Sequence, residues 1–127
     1  MSMNTVLYFE IQAKDTEKAS NFYATLFGWK FTKQEDMAID YWHIETGGIQ
    51  GGLLRRPAQA PAPEQGTNAF VCSIEVANFE RTAKKIVEQG GLVALEKFAV
   101  PGKCWQGYFI DTDGNTFGIF EVDDQAA

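Results

Sequence analysis

Hydrophobic and polar positions follow two successive patterns at the start of the chain. Thr5–Ile11 is rich in β-branched and aromatic residues and predicts a β-strand. Between Asp15 and Gly28 the apolar spacing becomes helical, at i, i+3, i+4, i+7 and i+8 from Ala19. Asp15 stands at the N-cap position, and Gly28 supplies the left-handed residue that ends a helix. A strand followed by an amphipathic helix therefore opens the chain.

Three short strands are predicted after this helix, separated by polar or glycine-rich turns. Their ranges are Trp29–Lys33, Tyr41–Thr46 and Ile49–Leu54. The same order then recurs. A strand over Ala69–Val76 precedes Asn78 at an N-cap position, a helix runs to the glycine pair 90–91, and further strands begin near Leu92. Asn78 follows Asp15 by 63 positions, so the pattern predicts two copies of one βαβββ module.

A proline-containing segment lies between the two modules. Residues 55–67 are rich in alanine and polar residues and hold three of the four prolines, which cannot continue a helix or a central strand. We therefore predict one domain over 1–127, with module one at about 4–54, a linker at 55–67 and module two at about 68–123.

Two motifs at the ends of the chain resemble one family. Asn21–Trp29, read with Phe9–Ile11, resembles the opening strand and helix of the glyoxalase / bleomycin-resistance / extradiol dioxygenase (vicinal oxygen chelate) superfamily. Asp111–Asn115, followed by Thr116–Glu121, resembles its closing hairpin. The resemblance implies an α+β fold in which two tandem βαβββ modules place curved mixed sheets around a U-shaped cup, with helices on the outer face. It also implies a small-molecule ligand and a homodimer.

The positions that bind a divalent metal ion in the metal-dependent members can be read off this resemblance. They fall on Tyr8 in the first strand, Val71 in its repeat, Gly118 in the closing strand and an unassigned residue within Gln50–Leu53. None of these is His, Asp or Glu, and the chain has a single histidine. We therefore expect no metal and no cofactor. The alternative is a divalent-metal-dependent lyase, isomerase or dioxygenase with a rearranged ligand set drawn from Glu10, His43 or Gln50.

Strand alternation selects the candidate site residues. If Tyr8 faces the cup, Glu10 faces it too, while Leu7, Phe9 and Ile11 pack under the helix. Glu10 and Tyr8 are the candidate catalytic groups, as a base and as a hydrogen-bond donor. The predicted ligand-binding residues are Tyr8, Glu10, His43, Gln50, Trp105, Tyr108 and Phe120.

Each of these residues also has a structural interpretation. A solvated or ion-paired carboxylate is the favoured interpretation of Glu10, and a place in the sheet is the favoured interpretation of His43. Tyr8 is equally consistent with packing. Trp105 and Tyr108 suit either a ligand platform or a dimer or core contact.

Composition removes other classes of function. A net charge of −6 with scattered basic residues argues against nucleic-acid binding. No membrane-spanning run or targeting segment is evident, so a cytoplasmic protein is expected. Cys72 and Cys104 are expected to be free thiols, with Cys72 in the core.

Three functions remain: a metal-dependent enzyme, a metal-free binder of a small aromatic or carbonyl-bearing molecule, and a structural domain. The missing metal ligands favour the binder, and a metal-free enzyme using Glu10 or Tyr8 is a subsidiary hypothesis.

Overall fold

The computed structural model describes residue 4, residues 6–58 and residues 70–127. It divides into two compact units, Met1–Ala60 and Pro61–Ala127. The elements are β1 (Tyr8–Ala13), α1 (Thr16–Phe27), β2 (Lys30–Lys33), β3 (Tyr41–Glu45) and β4 (Gln50–Arg55), then β5 (Ser73–Glu75), α2 (Phe79–Glu88), β6 (Leu92–Val100), β7 (Cys104–Ile110) and β8 (Thr116–Val122). The predicted α+β fold of two βαβββ modules is confirmed.

The first unit is a four-stranded mixed sheet with one helix packed against it. Its strand order is β1-β4-β3-β2, and β1 runs parallel to β4 while the other pairs are antiparallel. The carboxylate of Asp15 accepts a hydrogen bond from Lys18 N at 3.0 Å and caps α1, which ends at Gly28 with φ of 72°. Both predicted caps are confirmed.

The core of the first unit lies between α1 and the sheet. Its fully buried members are Ala13, Ala19, Ile44 and Leu53, and Phe9, Ile11, Trp29, Phe31 and Trp42 pack around them. Because side chains alternate along a strand, the members that lie in β1–β4 define the helix face of the first sheet, and Ala19 belongs to α1. The predicted inward packing of Phe9 and Ile11 is confirmed.

The second unit repeats this plan with strand order β5-β8-β7-β6. Asn78 accepts from Arg81 N at 2.8 Å at the start of α2, and Gly90, just past its end, has φ of 98°. The helix face of the second sheet is apolar and buried, with Phe109, Phe117 and Ile119 among its members, and α2 contributes the buried residues Phe79 and Ile86.

Strand register shows how closely the two units correspond. Ile11 lies opposite Leu53 in the first sheet, and Ile74 lies opposite Ile119 in the second. One position away, Glu10 lies opposite Gly52, as Ser73 lies opposite Gly118. Ile11 and Ile74, which are also 63 positions apart, therefore occupy equivalent places in the two sheets.

Several details differ from the sequence-based expectations. Leu7 is 65% exposed and Cys72 is also exposed, and each lies one position before the first residue of its strand, where the sheet begins. Arg55 belongs to β4, so the linker begins after it. Residues 59–67 of the predicted linker lie outside the described residues. Neither α1 nor α2, the helices of the described ranges, is long and apolar enough to cross a membrane.

Candidate functional site

The side of the first sheet opposite α1 carries a concentration of polar side chains. We call it the first open face, and its members are Tyr8, Glu10, Tyr41, His43, Gln50 and Gly52, which alternate with the core residues along β1, β3 and β4. All six belong to the first unit. Four of them, Tyr8, Glu10, His43 and Gln50, are predicted site residues, so the fold brings these together on one surface.

A chain of hydrogen bonds crosses the centre of this face. The hydroxyl oxygens of Tyr8 and Tyr41 are 2.5 Å apart, and the Tyr41 hydroxyl donates to Glu10 Oε2 at 3.2 Å. Gly52 makes the arrangement possible, because a Cβ at that position would overlap the Tyr41 hydroxyl oxygen and lie 2.9 Å from that of Tyr8. Both phenol groups thus lie directly over a residue without a side chain.

Among the described residues, Tyr41 has a strongly shifted pKa. Burial, the hydrogen bond with Tyr8 and the neighbouring Glu10 carboxylate all disfavour its phenolate, and they raise the pKa of Tyr41 well above its ordinary value. Tyr41 therefore remains protonated at neutral pH and serves as a hydrogen-bond donor rather than as a base.

A second polar pair lies beside the first chain. His43 Nε2 and Gln50 Oε1 are 2.7 Å apart. Gly52 has two register partners, His43 on strand β3 and Glu10 on strand β1. The carboxylate and the imidazole are therefore carried by the two strands that flank the glycine. The first open face therefore combines a carboxylate, two phenols, an imidazole and an amide around Gly52.

The corresponding surface of the second sheet has a different composition. We call it the second open face, and its members are Ser73, Phe98, Gln106, Tyr108, Gly118 and Phe120. Gln106 Nε2 donates to Ser73 Oγ at 3.3 Å, and a Cβ on Gly118 would lie 2.5 Å from that oxygen. Tyr108 stacks on Phe98 with centroids 6.3 Å apart. This surface combines aromatic and neutral polar groups with the exposed carboxylate of Glu75, the register partner of Phe120. It includes the predicted residues Tyr108 and Phe120.

Trp105 lies on the other side of the second sheet from Tyr108. Its indole N–H donates to Asp123 Oδ2 at 3.0 Å, and Lys97 Nζ is 4.7 Å from its ring centroid and 5.6 Å from that of Phe79, in helix α2. Hydrogen bonds from the Gln125 backbone N–H and from Trp105 lower the pKa of Asp123. Trp105 thus lies on the opposite side of the second sheet from the predicted residues Tyr108 and Phe120, and its role in binding stays a prediction.

Strand register assigns the last of the four positions that bind metal in the metal-dependent members, which the sequence left open within Gln50–Leu53. Gly118 lies opposite Ser73, and the equivalent residue in the first unit, opposite Glu10, is Gly52. The four positions are thus Tyr8, Gly52, Val71 and Gly118. Two of these have no side chain, one is apolar, and the Tyr8 hydroxyl is already bonded to Tyr41. This donor set does not fit a divalent ion. Nor do the described ranges contain a group of three or more His, Cys, Asp or Glu side chains that could hold a metal.

Tyr41 and Gly52 are the site residues that sequence reasoning missed. Tyr41 precedes His43 by two positions on the same strand, so alternation alone could have placed both on one face. The role of Gly52 depends on the register between β1 and β4, strands separated along the chain by a helix and two further strands. No local sequence signal specifies that register.

Comparison with known proteins identifies the family. The sequence profile of the Glyoxalase/Bleomycin resistance protein/Dioxygenase superfamily matches residues 5–119. A glyoxylase-like domain-containing protein of Didymella fabae is 27% identical, with 87% of this chain and 88% of that protein covered.

Solved structures share the fold. Hypothetical protein SA1046 from S. aureus superposes with a TM-score of 0.71 at 23% identity, covering 95% of this chain and 100% of that one. The fosfomycin resistance protein FosX from Listeria monocytogenes gives a TM-score of 0.76 at 14% identity, covering 96% and 94%. Together with the profile match and the repeated βαβββ modules, this shows that the chain belongs to the glyoxalase / bleomycin resistance protein / dioxygenase superfamily.

Proposed function

We propose that the protein binds a small aromatic or carbonyl-bearing molecule on its first open face, without a metal ion. The observation that carries this proposal is the hydrogen-bonded chain of Tyr8, Tyr41 and Glu10 above Gly52. The mutual hydrogen bonds orient two phenol groups before any ligand arrives, which lowers the entropy lost on binding.

The exposure of these groups supports a binding role over a purely structural one. Tyr8 is 43% exposed, and Glu10 and Gln50 are exposed as well, so their polar atoms are not needed to satisfy a buried core. The helix face of the same sheet already contains the core of the unit. Polar groups preorganised on the accessible side of a sheet are suited to a ligand.

Gly52→Ala tests the proposal. The added Cβ displaces the Tyr41 hydroxyl, the far end of a side chain, and leaves the helix face untouched. With 4-hydroxyacetophenone as the probe, followed by ligand-observed NMR, we expect affinity to fall by about tenfold or more, the equivalent of one or two hydrogen bonds. The matched control is Gly48→Ala, where a Cβ meets only Thr46 Oγ1 at 3.9 Å. Equal binding by both variants and the wild type would contradict the proposal.

A second candidate is the metal-dependent enzyme with a rearranged ligand set. The observation in its favour is that Glu10 and His43 both flank Gly52, on opposite sides. Against it, the Tyr41 hydroxyl lies over the same glycine, and His43 Nε2 is hydrogen-bonded to Gln50. Metal binding separates this candidate from the binder.

Metal-free catalysis by Glu10 or Tyr8 is a further proposal about the same surface. Exchange of the Glu10 carboxylate for an amide in Glu10→Gln removes a base but preserves its size, so turnover should be lost while the melting temperature is kept. The homodimer and the cytoplasmic location implied by the resemblance also stay predictions, and light scattering on the purified protein tests the first.

A further inference from the structure

The number of protons on Tyr8, Tyr41 and Glu10 fixes which group donates in each of the hydrogen bonds that join them. A carboxylate only accepts, and a phenol carries a single proton. The Tyr41 proton is donated to Glu10 Oε2, so Tyr41 must accept in its 2.5 Å contact with Tyr8, and Tyr8 must donate. The proton of Tyr8 is then already used, and the free lone pair on its oxygen is available to a ligand only as an acceptor.

The adjacent pair, His43 and Gln50, leaves a hydrogen-bond donor free. Gln50 Oε1 is an acceptor, so His43 Nε2 is the donor of their 2.7 Å hydrogen bond. The amide N–H groups of Gln50 have no hydrogen-bond partner among the described residues. Gln50 is also the register partner of Tyr8, on the neighbouring strand roughly 5 Å away. A residue with a free acceptor and a residue with a free donor are therefore register partners on the same face of neighbouring strands.

We infer that the ligand of the first open face carries a hydroxyl group, which donates to the Tyr8 oxygen and accepts from the Gln50 amide. The inference rests on the proposed function and specifies the class of ligand. A hydroxyl both donates and accepts, whereas a ketone or ether oxygen only accepts and would face the Tyr8 lone pair. An ammonium group only donates and would leave the Gln50 amide unpaired. The preferred ligand is therefore a hydroxylated small molecule.

Two probes that differ by one donor test the inference. 4-Hydroxyacetophenone and 4-methoxyacetophenone share the ring and the carbonyl, but only the first can donate a hydrogen bond. We expect the hydroxyl compound to bind the wild type about tenfold more tightly, the effect of one net hydrogen bond. Equal binding of both would overturn the inference and leave the proposed function intact. Binding of neither would contradict the proposed function itself.

Glu10→Gln provides an independent test, because it can reverse the direction of the hydrogen bonds that join residue 10, Tyr41 and Tyr8. A glutamine amide can donate to Tyr41, which can then donate to Tyr8 and free the Tyr8 proton for a ligand oxygen. The preference for the hydroxyl probe should then shrink from about tenfold to less than about threefold. The charge-matched control is Glu88→Gln at the end of α2, in the other unit, which should keep the wild-type preference. A preference unchanged in Glu10→Gln would contradict the inferred proton direction.

Discussion

The first and second open faces are built on the same scaffold but carry different chemistry. Each has a glycine at the centre of the sheet, Gly52 or Gly118, and in each a side chain from the neighbouring strand lies over it. That side chain is Tyr41 in the first unit and Gln106 in the second. Both reach the strand on the far side of the glycine, where Tyr41 meets a carboxylate and Gln106 meets the hydroxyl of Ser73.

The difference shows that a few exchanges of residues change the surface chemistry of this repeat while the strand order stays the same. The counterpart of Glu10 is Ser73, and that of Tyr8 is Val71, so the second unit has no acid and no phenol at these two positions. Its exposed carboxylate, Glu75, lies two residues further along the strand. Its open face is aromatic instead, with Tyr108 stacked on Phe98. The helix faces of the two sheets have remained alike, so we expect stability to depend equally on both units and ligand binding to depend on the first.

The largest effects should come from equivalent core residues, and they test whether the helix faces are in fact alike. Leu53 and Ile119 occupy matching register positions, and each is 0% exposed. Leu53→Ala and Ile119→Ala should each lower the free energy of unfolding by about 2–5 kcal/mol, because both leave a cavity. Urea denaturation followed by circular dichroism measures this.

The two core variants are each other's control. A loss of stability in only one variant would mean that one unit limits the stability of the chain. The helix faces of the two sheets would then differ in their contribution to stability.

The hairpins that close the two sheets should differ in their contribution to stability. Asp111 is buried and accepts from Asp113 N, Asn115 N and Asn115 Nδ2 at 2.8, 2.9 and 3.1 Å. In the first unit Thr46 makes only two such bonds, to Ile49 O and from Gly48 N. Asp111→Ala should lower the free energy of unfolding by about 2 kcal/mol and Thr46→Ala by about 1 kcal/mol or less. Equal losses in the same denaturation experiment would contradict this ranking.

The fold could be predicted from the sequence because its signals are local. Asp15 and Asn78 cap the two helices, Gly28 ends the first, and Asp111–Asn115 makes the closing turn, and each of these acts within a few residues. The positions of Leu7 and Cys72 could not be derived in this way, because alternation gives a direction and does not say where helix cover ends.

The candidate site was predictable only in part, for a related reason. Alternation along β1 placed Tyr8 and Glu10 together. The hydroxyl chain also needs Tyr41 and Gly52, which come from β3 and β4 and meet β1 only through pairing between distant strands. Trp105 shows the converse, since its aromatic character suggested a ligand platform and its strand parity placed it on the helix face.

A smaller effect should appear at high pH, and it is specific to the first open face. The folded protein holds the Tyr41 proton more tightly than the unfolded chain does, since its pKa is raised above the ordinary value near 10. The stabilisation is complete below about pH 10 and is lost as the pH rises above it, because the unfolded chain then releases a proton that the folded protein keeps.

Tyr41→Phe removes this dependence. The decline of the free energy of unfolding above about pH 10 should be steeper in the wild type than in the variant, by at most about 1 kcal/mol per pH unit, since Tyr41 is partly exposed and solvent screens its interactions. Urea titrations of both proteins across this range measure the difference. Parallel curves would mean that the phenol chain does not form in solution.

The smallest expected effect is that of divalent metals. A ligand that binds only the folded state raises its melting temperature, and a concentration of 100 times the dissociation constant stabilises by about 2.7 kcal/mol. Since Tyr8, Gly52, Val71 and Gly118 do not form a ligand set, manganese, iron, nickel and zinc should each leave the melting temperature unchanged. Stoichiometric metal in the purified protein, with a shift abolished by Glu10→Gln, would instead favour the rearranged site and make the first open face a metal centre.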